Sequence, residues 1–343
     1  MFNLSSLRYR YNLFFVLFIL CSIIYVMVRS IGTGVVNFQE NLYKKDFLIG
    51  NANLLRIKMG DRILPRALLG KDGWVEYTGG GNIDDFQNLK KPINKKELLL
   101  KLTTLNQYLK SQNITLLVVI APNKATIYPD KLPEQIKSLP TKSRLDRLIT
   151  YLEDNNLPVI VDLRSELRIA RQDQDVYYKE NNTHWNAYGA FVAYTKIINA
   201  LESSHPELKP YEATDLELVA SDPSAMPDFF FAPKEPFVHT LRLGTAYGRS
   251  QYAGNDIGYN QFSSIPDSKL PTLLMFHDSF AEYYLNNYLS MNFGKSHFIH
   301  LLSTPQYLNP EAIQQFNPDI VIIEIVERDL ELLVNTLLNF DSK

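Results

Sequence analysis

A chain of 343 residues with 45% hydrophobic and 21% charged side chains has the composition of a folded protein with a large core, which excludes wholesale disorder. A formal net charge of −2 implies no strongly basic face, so nucleic acid is not expected as a partner. The single cysteine, Cys21, excludes an intramolecular disulfide framework.

In chain order, Tyr11 to Val28 is an apolar run broken only by Asn12 and Ser22. At 1.5 Å per residue it spans roughly 27 Å, close to the hydrocarbon thickness of a bilayer. Arg8 and Arg10 precede it, which puts the N-terminus in the cytoplasm, and no small-x-small cleavage site follows. The run is therefore expected to be a retained signal anchor, with the rest of the chain extracytoplasmic, periplasmic or extracellular. The N-x-Ser/Thr sequons at Asn3, Asn113 and Asn181 read as chance matches.

Residues 30–93 form a juxtamembrane connector containing a β-hairpin, with a tight turn at Lys71-Asp72-Gly73. Asn94 then caps a helix carrying Leu98, Leu102, Leu105 and Leu109 at three- and four-residue steps. Apolar runs follow at 114–121, 159–163, 272–276, 298–302 and 319–325, the mark of strands buried on both faces. Between them lie amphipathic helices at 143–153, 186–201 and 279–289, and a short one follows through Leu330, Leu332 and Leu333. This alternation predicts an α/β domain over 94–335 with a mostly parallel five-stranded sheet flanked by helices. Prolines and glycines between 203 and 271 predict a long irregular insertion, and 336–343 is a short tail. In such sheets ligands bind past the carboxyl ends of the strands, where Asn123, Asp162 and Asp278-Ser279 fall.

Ser279 follows a strand and opens a helix, where first-turn N–H groups can hold an oxyanion. An ordinary Asp-Ser helix cap accounts for the same spacing. His184 lies in a polar loop just ahead of the helix cap at Asn186, a position open to a catalytic base but common for a bland histidine. No histidine pair has metal-ligand spacing with a third ligand nearby, so no metal is expected, and no cofactor is called for. Asn123 and Lys124 are candidates for lining a substrate site, or for forming the turn before Pro129. Tyr247, Arg249, Tyr252 and Tyr259 suit sugar stacking and hydrogen bonding, or packing of the insertion onto the body. Glu327-Arg328 reads as a local ion pair.

Taken jointly, the motifs resemble the SGNH-hydrolase-like O-acetyltransferases of bacterial exopolysaccharide modification, the alginate acetylation type of AlgX and AlgJ. The matching pieces are the single N-terminal apolar segment, Gly70-Lys-Asp-Gly-Trp74 and Ile120-Ala-Pro-Asn-Lys124 with Tyr128-Pro-Asp-Lys-Leu-Pro133. Thr183-His-Trp-Asn186, Asp278-Ser-Phe280 and Pro318-Asp-Ile-Val321 through Ile325-Val-Glu-Arg328 follow in the same order. The resemblance implies an SGNH-like fold, with Ser279 as nucleophile, His184 as base and the Phe280 N–H as an oxyanion donor. It also implies a polysaccharide substrate, and a multi-spanning acyltransferase of the MBOAT type as acyl donor.

The family pattern has an aspartate two residues before the histidine, and here Asn182 stands there. An amide can orient the imidazole but cannot balance its positive charge; in serine proteases this exchange lowers kcat by about 10⁴, roughly 5.5 kcal/mol. Three outcomes follow: a slower Ser-His dyad oriented by Asn182, a carboxylate supplied by Glu180, Asp162 or Glu324, or a site kept for binding. Besides acetyl transfer, a carbohydrate O-acetyl esterase and a non-catalytic polysaccharide-binding or assembly component therefore stay open.

Overall fold

The computed structural model describes residues 17–25, 27–28, 45–64, 66–136, 142–180, 182–220, 229–233, 240–242, 260–265, 268–301, 308 and 310–338. The chain forms two compact units, Met1–Leu64 and Pro65–Lys343. In the first, residues 17–25 and 27–28 are helical, followed by helix α1 (Lys45–Lys58) and the short strand β1 (Ile63–Leu64). The apolar run Tyr11–Val28 lies partly outside the described residues. Among those described, no helix is long and apolar enough to cross a membrane.

The second unit opens with β2 (Ala67–Leu69) paired antiparallel to β3 (Val75–Tyr77). Their turn places Asp72 and Gly73 at positive φ, 54° and 78°, a left-handed pair that suits the twist of a tight hairpin. Next come α2 (Asn82–Phe86), α3 (Lys95–Ser111), β4 (Thr115–Ala121), α4 (Lys124–Ile127), α5 (Arg144–Asp154), β5 (Ile160–Asp162), α6 (Arg164–Ala170) and α7 (Ala187–Leu201). Short strands β6 (Leu216–Ala220), β7 (Phe229–Pro233), β8 (Thr240–Arg242) and β9 (Asn260–Ser264) lead to β10 (Thr272–His277). Helix α8 (279–290), β11 (Lys295–His300), α9 (Pro310–Phe316), β12 (Ile320–Val326) and α10 (Leu330–Leu338) complete the unit.

The main sheet has seven strands in the order β5-β4-β12-β10-β11-β9-β8. The five predicted strands are its parallel part. Strands β9 and β8 extend it antiparallel at one edge. The stretch 203–271 is thus not irregular throughout: its described residues supply this edge and the β6–β7 pair. Alternation within it was too weak to read against its prolines and glycines. Strand β11 also starts earlier than the run Phe298–Leu302, because its parallel ladder with β10 begins at Thr272↔Lys295.

Side chains alternate across the pleat into two cores. Leu116, Val118, Ile120, Val321, Ile323 and Ile325 meet α3, α5 and α10, which bury Leu98, Leu102, Leu105, Leu109, Leu145, Leu148, Leu152, Leu330 and Leu333. Val119, Ala121, Met275, Ile320 and Ile322 face α6, α7 and α8. Capping fixes where these helices begin. The Asn94 side chain accepts from Glu97 N, Ser143 and Asp146 form a reciprocal capping box, and Asn186 accepts from Gly189 N. Gly189 is required, since a Cβ there would strike the Val176 carbonyl oxygen. As the five central strands are parallel, Ala121, Asp162, His277 and Val326 all end at one edge of the sheet, and the site forms there.

Candidate active site

Ser279 and His184 meet at this edge: Ser279 Oγ lies 2.9 Å from His184 Nε2. Two short supports place the histidine. Tyr177 and Trp185 form an isolated antiparallel bridge, with Tyr178 N–H donating to the His184 carbonyl. The Trp185 indole N–H donates to the Phe280 carbonyl at 2.9 Å, tying the histidine loop to the serine helix. The His184 ring also packs against the Phe280 ring, with centroids 4.7 Å apart.

Asn182 takes the position of the orienting group. Its Oδ1 accepts the His184 backbone N–H at 3.0 Å and lies 2.8 Å from His184 Nδ1. An atom that accepts from a backbone N–H is the amide oxygen, so the ring nitrogen facing it carries the proton. That tautomer leaves the Nε2 lone pair facing the serine hydroxyl, the arrangement a general base needs. Among the described residues no other carboxylate takes this place. Asp162 is held by Arg164, with contacts of 2.7–3.1 Å, Glu324 lies behind the serine, and Glu180 is exposed. Burial first, and the Arg328 charge second, push the His184 pKa down to about 3, so the imidazole is neutral across the ordinary pH range.

The serine sits on an acid-backed turn. Asp278 Oδ1 accepts from Phe280 N–H at 2.8 Å and Oδ2 from Val326 N–H at 2.7 Å. Glu324 Oε2 accepts from Asp278 N–H at 3.2 Å. Burial together with the Asp278 charge raises the Glu324 pKa well above the carboxylate range. Immediately after the serine the helix widens to π geometry over Ala281–Leu285, a local bulge often found at functional sites.

Several sequence expectations need correction. The Phe280 N–H does not serve as an oxyanion donor, because the Asp278 carboxylate already holds it. The helix-cap reading of Asp278 is therefore right alongside the pairing of Ser279 with His184. Asn123 and Lys124 are fully buried and cannot line a substrate site. Asn123 Nδ2 donates to Asp85 Oδ2 and its backbone N–H to Glu327 Oε2. The Lys124 ammonium donates to the carbonyls of Val75, Lys179 and Asn182 at 2.6, 3.1 and 3.3 Å, so it clamps the loop that carries Asn182. Glu327 and Arg328 are not an ion pair. Glu327 Oε2 accepts from Asn123 N–H and Thr126 Oγ1–H, whereas the Arg328 Nε–Asp329 Oδ2 distance is 3.7 Å. Tyr247, Arg249, Tyr252, Tyr259 and the Asn181 sequon lie outside the described residues.

A cavity of about 300 Å³ opens beside His184, bounded by Asn182 and Thr183 on one side and by Arg66, Val75, Glu76 and Tyr77 of the hairpin on the other. That volume is at the lower end for small-molecule sites. Sequence reading treated the hairpin as connector and so missed this wall. Within it, burial pushes the Glu76 carboxyl up to about 7 against the opposing pull of Lys124, Asn82 and Arg328. Arg328 was missed as well. Its Nη1 lies 3.5 Å from Thr183 Oγ1, and its guanidinium stands over the Phe280 and Tyr77 rings at 5.4 and 5.9 Å. Its position just past the end of β12, at the ligand edge of the sheet, was the available signal.

Residues 67–228 match the family model of the SGNH hydrolase-like domain of the acetyltransferase AlgX. This is the family that the sequence motifs resemble. The fold is also that of solved structures. Bacillus cereus PatB1 with a sulfonyl adduct aligns with TM-score 0.58 and 20% identity, over 77% of this chain and 97% of that one. A DHHW family protein from Eubacterium siraeum aligns with TM-score 0.55 and 16% identity, over 81% and 100%. Pseudomonas aeruginosa AlgX aligns with TM-score 0.50 and 15% identity, over 80% and 67%. Among curated proteins no sequence matches.

Proposed function

We propose that this protein is a membrane-anchored, extracytoplasmic O-acetyltransferase that acetylates polysaccharide hydroxyls through an acyl-Ser279 intermediate. The observation that carries the reading is the relay Asn182 Oδ1–His184–Ser279 Oγ, with contacts of 2.8 and 2.9 Å and the base-ready tautomer. The AlgX match supports acetyl as the group moved and polysaccharide as the acceptor class.

In the first half-reaction His184 Nε2 takes the Ser279 proton as Oγ bonds to the acyl carbon. Collapse of the tetrahedral adduct breaks the bond to the donor's leaving group, which receives the proton from Nε2. In the second, a sugar hydroxyl gives its proton to Nε2 and attacks the acyl carbon, and Ser279 leaves with that proton. The cavity beside His184 is the natural berth for the incoming hydroxyl. The apolar run Tyr11–Val28 suits an anchor, and one span cannot carry an acyl group across a bilayer, so a multi-spanning MBOAT-type acyltransferase fits as donor partner.

Asn182 favours one other reading, a component that binds polysaccharide without turnover, because an amide leaves the imidazolium unbalanced. The two readings separate on Ser279 itself. The wild-type protein is expected to take up one sulfonyl group from a sulfonyl fluoride, seen by intact mass, and the S279A and H184A variants none. Polysaccharide acetylation in cells carrying S279A is expected to be lost; acetylation left intact would sink the proposal. A wild-type serine inert to the probe would favour the binding component.

A further inference from the structure

We propose that Arg328 is a catalytic residue of this site, its guanidinium meeting the negative charge that develops on the acyl carbonyl oxygen. The inference rests on the reading of Ser279 and His184 given above and supplies an oxyanion donor in place of the Phe280 N–H. With the Phe280 N–H held by the Asp278 carboxylate, the first-turn amide next to the nucleophile is engaged by a stronger acceptor than any ester oxygen. A tetrahedral oxyanion without a preorganised donor gains little from the site.

Arg328 touches the residues that flank the reacting centre. Thr183, within 3.5 Å of Nη1, precedes the base; Phe280, under the guanidinium, follows the nucleophile; Tyr77, at its other side, walls the cavity. Its origin is fixed, since its own carbonyl accepts from the Lys90 ammonium and from Arg144 Nη2. The contact with Asp329 is long at 3.7 Å, and that carboxylate is exposed to water, so it does little to neutralise the cation. The planar fork of donors suits a carbonyl oxygen turning into an alkoxide.

The charge balance of the site agrees. A triad with an aspartate stabilises the imidazolium; this site has an amide instead and adds a cation whose field further disfavours protonated His184. Such electrostatics oppose the positive partner of the transition state and favour the negative one. In the step itself the Ser279 proton passes to Nε2, the C–Oγ bond forms, and the carbonyl π pair moves onto oxygen. That oxygen accepts hydrogen bonds from Arg328 until collapse restores the carbonyl and expels the leaving group.

The test compares hydrolysis of an aryl acetate with that of its thionoester, whose sulfur is a poor hydrogen-bond acceptor, in wild type, R328Q, R328K and S279A. R328Q is expected to lose about 10²–10³-fold in kcat on the oxygen ester with KM little changed. It should also discriminate less between oxygen and sulfur substrates, and R328K should fall between it and wild type. Loss of both rates in the same proportion, or R328Q within about twofold of wild type, would overturn the role of Arg328 while S279A is inactive. S279A as active as wild type would instead bring down the site reading and this inference together. R328K, which keeps the cation and most of the stem, gives the same discrimination test should R328Q not fold.

Discussion

The two halves of the site are held in opposite ways. The serine half is backed by acids: Asp278 takes two backbone N–H groups, and Glu324 takes the N–H of Asp278. Among the described residues the histidine half holds no acid against the ring; an amide orients it, and a buried ammonium grips the carbonyl of that amide's residue. The two carboxylates behind the serine are thus spent on backbone N–H groups. What distinguishes a triad acid from a structural one is the donor it faces, not its proximity.

Replacing the clamp tests the histidine half most severely. Lys124→Met leaves the carbonyls of Val75, Lys179 and Asn182 buried without their donor and Glu76 without the cation that most lowers its pKa. A loss of about 3–4 kcal/mol is expected, read as a fall in denaturation midpoint at constant m. Aryl-acetate hydrolysis should fall as well, because Asn182 loses its anchor. A variant with wild-type stability and rate would break the contrast between a clamped loop and an acid-backed turn.

Next in size is the conversion of one half to the chemistry of the other. Asn182→Asp puts a carboxylate 2.8 Å from Nδ1, where it stabilises the imidazolium and still orients the ring. A gain of about 10²-fold in kcat, roughly 2.7 kcal/mol, is expected in steady-state hydrolysis. The acid limb of the pH–rate profile should move to higher pH, since the new charge raises the His184 pKa. No gain would mean that proton transfer to His184 does not limit the rate.

These residues also mark what was legible. The parallel strands could be read because runs such as Leu116–Ala121 are apolar on both faces, and the serine and histidine because helix starts at strand ends are recognisable from caps. Lys124 was misread because a lysine at a strand end is ordinarily solvated, and the carbonyls that draw it inward come from segments roughly fifty residues away on either side. The fate of the Phe280 N–H, by contrast, is local: an Asp-x-Phe turn states it, and only the priority between capping and oxyanion binding was undetermined. The hairpin wall and Arg328 needed tertiary packing to show that they reach His184.

The pH dependence of stability draws on both halves. His277, fully buried behind the serine turn, is pushed down to about 3 by burial and by His300. Its folded pKa is below the unfolded value near 6.5, so its contribution is complete above about pH 6.5 and is lost as pH falls toward 3. Between pH 7 and pH 5 this one residue should cost about 2 kcal/mol. Glu76, pushed up to about 7 on the histidine side, acts in reverse: its contribution is complete below about pH 4.5 and is lost as pH rises through 7. Tm is therefore expected to peak on the weakly acidic side of neutrality. His277→Gln should flatten the acid limb, and a limb unchanged in that variant would assign acid sensitivity to other groups.

The smallest expected effect is at Glu324. Burial beside the Asp278 charge pushes the Glu324 carboxyl well above its usual range, toward the protonated form. A glutamine reproduces its shape, and its amide oxygen can accept the Asp278 N–H as Oε2 does. Glu324→Gln should therefore change stability by no more than about 0.5 kcal/mol and leave sulfonylation of Ser279 intact. Asp278→Asn is the informative control. Both Asp278 oxygens accept backbone N–H groups, so an amide must turn its NH₂ toward one of two donors, at a cost of about 1–3 kcal/mol. Equal penalties at the two positions would show that Glu324 is ionised in the folded protein, and the acid-backed turn would then carry two charges rather than one.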